Sequence, residues 1–120
     1  LLDRIDLHVA LPPSDLECMQ GPPGEPSEPV RERVARCRER QHARQGKPNA
    51  GLAGAELECH CPLQADARDL LLQAMRRLAG SGRAMHRALR VARTIADLDG
   101  QDMLGASHVA QAVQYRRPGV

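Results

Sequence analysis

Phenylalanine and tryptophan are absent from this 120-residue chain, and Tyr115 is its one tyrosine. Without rings, the core must be built from Leu, Val, Ile, Met and Ala, which favours closely packed helices over a sheet sandwich. The same absence removes the platforms on which single-stranded bases would stack. Lysine is nearly missing too: Lys47 is alone, and the remaining fixed cations are arginines. Arginine suits bidentate contacts to phosphate and carboxylate, although Ala, Arg, Gly and Pro enrichment also follows from genome composition. No apolar run reaches membrane-spanning length and no secretory signal is visible, so a cytoplasmic protein with no membrane partner is expected. Cys18, Cys37, Cys59 and Cys61 are too few for a disulfide framework at this length, which fits a reducing compartment.

Metal and nucleophile chemistry are also poorly provided for. Cys59-His60-Cys61 invites a zinc reading, but Cys-x-Cys with scattered partners lacks the spacing of paired zinc knuckles. Free thiols are expected and no metal site. His86 and His108 read as surface positions near helix starts, and no Ser-His-Asp or paired-carboxylate arrangement stands out.

What is present is helical periodicity and unevenly placed charge. The net charge is only +2, yet residues 1–27 set Arg4 against five acids, while 28–47 set seven basic side chains against three glutamates. The clearest segment is Ser81–Leu98. At 3.6 residues per turn, Met85, Ala88, Leu89, Val91, Ala92, Ile95, Ala96 and Leu98 form an apolar half, expected to face the core. Arg83, His86, Arg87, Arg90, Arg93, Thr94 and Asp97 form the polar half, four arginines with one acid. Arg83 falls in the first turn, after the N-cap candidate Ser81, where free N–H groups already make the helix end positive. A cation there costs roughly 0.3–1 kcal/mol, so an anion should face it, either an acid of the fold or a phosphate.

Around this helix the chain reads as a mainly α protein, a small bundle of three to four helices after one strand and a linker. Ile5, Leu7, Val9 and Leu11 alternate with polar residues, predicting a strand over 3–11 with no partner in the chain. Gly-Pro-Pro-Gly-Glu-Pro marks 14–27 as linker. A helix over about 28–45 has a narrow seam of Val30, Val34 and Cys37 beside an arginine stripe, Arg33, Arg36, Arg40 and Arg44. That stripe is a solvated face, with Glu32 supporting Arg36, or a contact surface for nucleic acid or a neighbouring subunit. Residues 47–65 are mixed, with one helical turn near Ala50–Ala53. Further helices are expected over about 66–79 and 106–115. The expected division is therefore 1–27 strand and linker, poorly ordered, 28–117 helical domain, and 118–120 tail.

Two stretches together resemble a family. Leu1-Leu2-Asp3-Arg4-Ile5-Asp6-Leu7-His8-Val9 resembles the segment closing the ATPase core of Mg chelatase-like AAA+ proteins. Gly82-Arg83-Ala84-Met85 with Leu89-Arg90-Val91-Ala92-Arg93-Thr94-Ile95-Ala96-Asp97-Leu98 resembles their second-sensor helix. Val30–Val34, Arg38–Gln41 and Gln114–Arg116 extend the likeness to the ComM (YifB) family over most of the chain.

The resemblance implies the C-terminal helical lid of an ATPase that works as a hexameric ring of identical copies with ATP and Mg, and that acts on DNA in branch migration. Arg4 matches the arginine finger and Arg83 the sensor arginine, which acts in its own subunit or across the interface. Arg87 and Arg90 are secondary nucleotide-contact candidates. The chain departs from the family in having no Gly-x-x-x-x-Gly-Lys-Ser/Thr loop and no acidic metal-binding strand. With Leu1 in place of methionine, it is expected to be a fragment unable to hydrolyse ATP alone. The alternative is a DNA-binding or protein-interaction module using its arginine faces directly.

Overall fold

The computed structural model describes residues 7–9, 24–77 and 82–115. Among them are five α-helices and one 3₁₀ turn: α1 Ser27–Gln45, the turn Asn49–Gly51, α2 Gly54–His60, α3 Ala65–Arg77, α4 Gly82–Leu98 and α5 Ala106–Gln114. None of these helices is long and apolar enough to cross a membrane.

Glycine punctuation sets two of the ends. Gly46 adopts φ 76° after α1, and its N–H donates to the His42 carbonyl at 2.9 Å. Gly100, at φ 71°, closes α4 with a double clasp. The Gln101 N–H reaches the Ala96 carbonyl at 2.9 Å and the Gly100 N–H reaches that of Asp97 at 3.2 Å. Only a residue comfortable in the left-handed region makes this turn cheaply.

Helices α3, α4 and α5 form the packed centre, and α1 lies across α4. Leu52, Leu57, Cys61, Ala67, Leu71, Met75, Leu104, Val109 and Ala112 supply the buried core around α4. A single parallel bridge, Leu63 with Leu104, clips the α2–α3 loop to the α4–α5 loop. Leu104 donates to the Pro62 carbonyl at 2.8 Å, and Gln64 donates back to that of Leu104 at 3.0 Å.

Three sequence expectations need correction. Residues 54–60, read as part of a mixed segment, form α2, whose first turn is steadied by Glu56 Oε1 accepting from the Ala53 N–H at 3.3 Å. It is a short helix that buries Leu57 alone, too little for a periodic signal. The buried seam of α4 is rotated from the predicted face. Ala84, Ala88, Ala92 and Ala96 are buried, Met85, Leu89, Val91 and Ile95 are partly buried at the flanks, and Leu98 is 51% exposed. Alanines at i, i+4 let neighbouring backbones approach closely, so the centre of the contact is its least bulky strip. Arg93 and Asp97, assigned to the exposed half, are buried.

The strand expected over 3–11 lies mostly outside the described residues, as does most of the linker. Within it, the His8 N–H donates to the Tyr115 carbonyl at 2.7 Å, while Leu7 and Val9 are exposed.

Two substitutions separate the observed seam from the predicted one. Ala92→Leu should overpack the α4 contact and destabilise the chain by roughly 1–3 kcal/mol. Leu98→Ala should change stability by less than about 0.5 kcal/mol. Urea denaturation midpoints check both, and the opposite ranking would restore the predicted face.

Candidate functional site

Helix α4 carries a charge of the unfavoured sign at each end: Arg83 in its first turn and Asp97 in its last. An acid beside free C-terminal carbonyls is disfavoured, and a buried acid also loses its hydration. The fold answers both costs at Asp97. Arg44 of α1 donates to it in bidentate fashion, at 2.7 Å to Oδ1 and 3.0 Å to Oδ2. Arg93, one turn earlier on α4, pairs with Oδ1 at 3.1 Å. Asn49 Nδ2 donates to Oδ2 at 2.9 Å and to Thr94 Oγ1 at 3.0 Å.

The partners are themselves engaged. Asn49 Oδ1 accepts from Arg44 at 3.0 Å and from Gln45 at 2.8 Å, while the Asn49 N–H donates to Gln41 Oε1 at 2.8 Å. Arg93 reaches the carbonyls of Gln101 at 2.6 Å, Asp102 at 2.8 Å and His60 at 3.2 Å. Burial pushes the Arg93 pKa down, and the nearby Asp97 carboxylate opposes that shift. Its Nε has no partner. One carboxylate thus ties α1 and the 3₁₀ turn to α4, and its partner Arg93 adds the end of α2 and the loop after α4.

At the other end of α4 no such answer appears among the described residues. Arg83 is exposed, and no acid among the described residues pairs with it. Arg87, one turn on, is half-buried. Arg90 is half-buried and donates to the Leu52 carbonyl at 3.0 Å, an intramolecular tie that links α4 to the segment before α2. Arg4 lies outside the described residues.

The α1 stripe separates in a way the sequence did not show. Arg33 pairs with Glu25, and Arg44 with Asp97. Arg36 and Arg40 are exposed between them. Glu32, expected to support Arg36, makes no ion pair among the described residues; the close pairs at this end are Arg33 with Glu25 and Arg31 with Glu28 at 3.7 Å.

His108 is a further correction, since it is buried rather than a surface residue. Its Nδ1 accepts the Gly105 N–H at 2.9 Å, capping α5, so Nε2 carries the proton facing Asp99 Oδ2 at 3.1 Å. Cys59 is exposed whereas Cys61 and Cys37 are buried. No group of three His, Cys, Asp or Glu among the described residues could hold a metal ion. Burial raises the Cys61 thiol to about 11 and also raises that of Cys37.

Known proteins resemble this chain closely. Residues 24–116 match the family described as magnesium chelatase, subunit ChlI C-terminal. Over 117 residues, 96% of the chain, it is 43% identical to competence protein ComM of Haemophilus influenzae and 42% identical to YifB of Escherichia coli K12. The Mycobacterium tuberculosis protein Rv2897c is 35% identical over 124 residues, 99% of the chain. The chain spans 23–24% of the length of these relatives.

Asp97→Ala should destabilise the fold by about 3–5 kcal/mol, because it strands two guanidiniums that now share its charge. Urea denaturation followed by far-UV circular dichroism checks this, and a loss below about 1 kcal/mol would contradict it. The Cys61 thiol titrates higher in the folded chain than in the unfolded one. Its contribution to stability is therefore complete below about pH 8.5, the free-thiol value, and is lost as pH rises toward about 11. Cys61→Ala should flatten that alkaline decline in a melting-temperature series, whereas exposed Cys59→Ala should leave it unchanged.

Proposed function

The chain belongs to the magnesium chelatase ChlI C-terminal family, and from that premise we propose that it is the helical lid of an AAA+ ATPase whose Arg83 bears on bound nucleotide. The observation that carries the reading is the asymmetry of α4. Its unfavourable C-terminal charge, Asp97, is met by two arginines and an asparagine, whereas its unfavourable N-terminal charge, Arg83, meets no acid among the described residues. A cation kept at a positive helix end without compensation is consistent with an anion delivered from outside the bundle.

A nucleotide phosphate fits that requirement. Phosphoryl transfer develops negative charge on the departing group, and fixed guanidinium charge offsets it. Arg83 would supply this charge in its own subunit or across a ring interface, with Arg4 as the finger from a neighbouring copy. The described residues hold no acid cluster for magnesium. Its ligands, like the phosphate-cradling loop, would come from elsewhere in the parent protein. Bound ATP and magnesium would bring the scissile phosphate. The residues here would place that cation in the first turn of α4. In this reading the ring is hexameric and its work is DNA remodelling or branch migration.

Arg83→Ala in the full-length parent protein should reduce ATP turnover by about 10³-fold or more, the scale of an arginine that stabilises transferring phosphate. Circular dichroism should be unchanged, because Arg83 is exposed and makes no ion pair among the described residues. Wild-type turnover in the folded variant would overturn the assignment.

A further inference from the structure

Two residues of the α1 stripe remain without an ion-pair partner among the described residues. Arg36 and Arg40 are exposed, stand one helical turn apart, and pair with no acid among the described residues. The nearest acids on their own helix, Glu32 and Glu39, do not pair with them either. Like charges at i, i+4 repel by a few tenths of a kcal/mol, so folding alone gives this arrangement no advantage.

These arginines line a pocket of about 150 Å³ with Arg33, Cys37, Leu98 and Gly100. The far wall is the left-handed turn that ends α4. A Cβ built on Gly100 would stand 3.7 Å from one Arg40 guanidinium nitrogen, ordinary contact distance, so that group lies against the turn. Asp97 also borders the pocket, but its side chain is fully shielded and both oxygens are taken by Arg44, Arg93 and Asn49. Two guanidiniums share that one carboxylate, leaving one excess positive charge behind the pocket. Arg36 and Arg40 add theirs at its mouth. Arg33 is already neutralised by Glu25.

We propose that this pocket, between Arg36, Arg40 and the Gly100 turn, is an oxyanion site that takes a phosphate group. Paired guanidiniums offer fork-shaped donors matched to phosphate oxygens, and the one exposed acid of the turn, Asp99, is engaged by His108 at 3.1 Å. The pocket is smaller than the roughly 300–1,000 Å³ of sites that enclose whole ligands, so recognition is of the phosphate itself. Two sources carry that chemistry, a free polyphosphate and the phosphodiester backbone of a strand. The site is separate from the one proposed around Arg83. Fifteen residues of α4 at 1.5 Å each put about 22 Å between the two ends. It stands whether or not the lid reading does.

The test follows the arginine Nε–Hε resonances of the labelled chain at low salt, titrated with inorganic pyrophosphate and, separately, with a thymidine oligonucleotide. Saturable shifts at Arg36 and Arg40 are expected with at least one probe, larger than those at Arg31 and Arg38. Response to pyrophosphate alone identifies a polyphosphate site. Response to the oligonucleotide, with a log-log salt slope that falls by about 2 in Arg36→Gln/Arg40→Gln, identifies a strand site. That double variant should bind the responding probe about tenfold or more weakly, with an unchanged melting temperature. No response to either probe, equal shifts at all exposed arginines, or undiminished binding by the double variant would each overturn the proposal.

Discussion

A single buried carboxylate determines how this small bundle is arranged. Asp97 sits in the last turn of α4, where the helix end already repels it, and in an interior that would not tolerate it alone. Each compensating contact comes from a different place: α1 through Arg44, the 3₁₀ turn through Asn49, and its own helix through Arg93. Arg93 passes the constraint on to the carbonyls of His60, Gln101 and Asp102. Helix α1 needs this anchorage, since it buries only Cys37 and Gln41. A helix with so little apolar surface is marginal by itself.

That anchoring gives the exposed charges their meaning. Ten arginines over α1 and α4 look equivalent as composition, but the structure sorts them. Arg44, Arg90 and Arg93 bind groups of the fold, and Arg31 and Arg33 meet glutamates. Arg36, Arg38, Arg40, Arg83 and Arg87 have no such partner among the described residues; of these, Arg36 and Arg40 lie beside the C-terminal end of α4 and Arg83 at its N-terminal end. A bundle with unmatched cations beside both ends of α4, Arg83 on α4 itself and Arg36 with Arg40 on α1, is suited to sensing anions at two separate places. Membership in the magnesium chelatase ChlI C-terminal family gives the N-terminal end its proposed role in ATP hydrolysis.

The mainly helical class, the bounds of α1 and α5, the start of α3 and the end of α4 were legible in the sequence, because Gly46, Gly100 and the surrounding prolines mark ends by backbone chemistry that does not depend on packing. The buried face of α4 was not. Periodicity weighs large apolar residues most, yet here the alanines sit at the centre and Leu98 points outward. Arg93 and Asp97 looked like an ordinary i, i+4 surface pair, since nothing local reveals that Arg44 and Asn49 arrive from far along the chain. The role of His108 was hidden for the same reason. A histidine three residues after a glycine reads as exposed until the Gly105 N–H is seen to need its ring nitrogen. The arginine stripe was visible, but its division into engaged ends and a free middle required coordinates.

Amide hydrogen exchange in Asp97→Asn measures the central claim most directly, because asparagine keeps the shape and removes only the charge. Faster exchange is expected through α1 and the Asn49–Gly51 turn, while the α3, α4 and α5 centre keeps most of its protection. If α1 exchanged as slowly as in the unaltered chain, the carboxylate would not be what holds the helix in place.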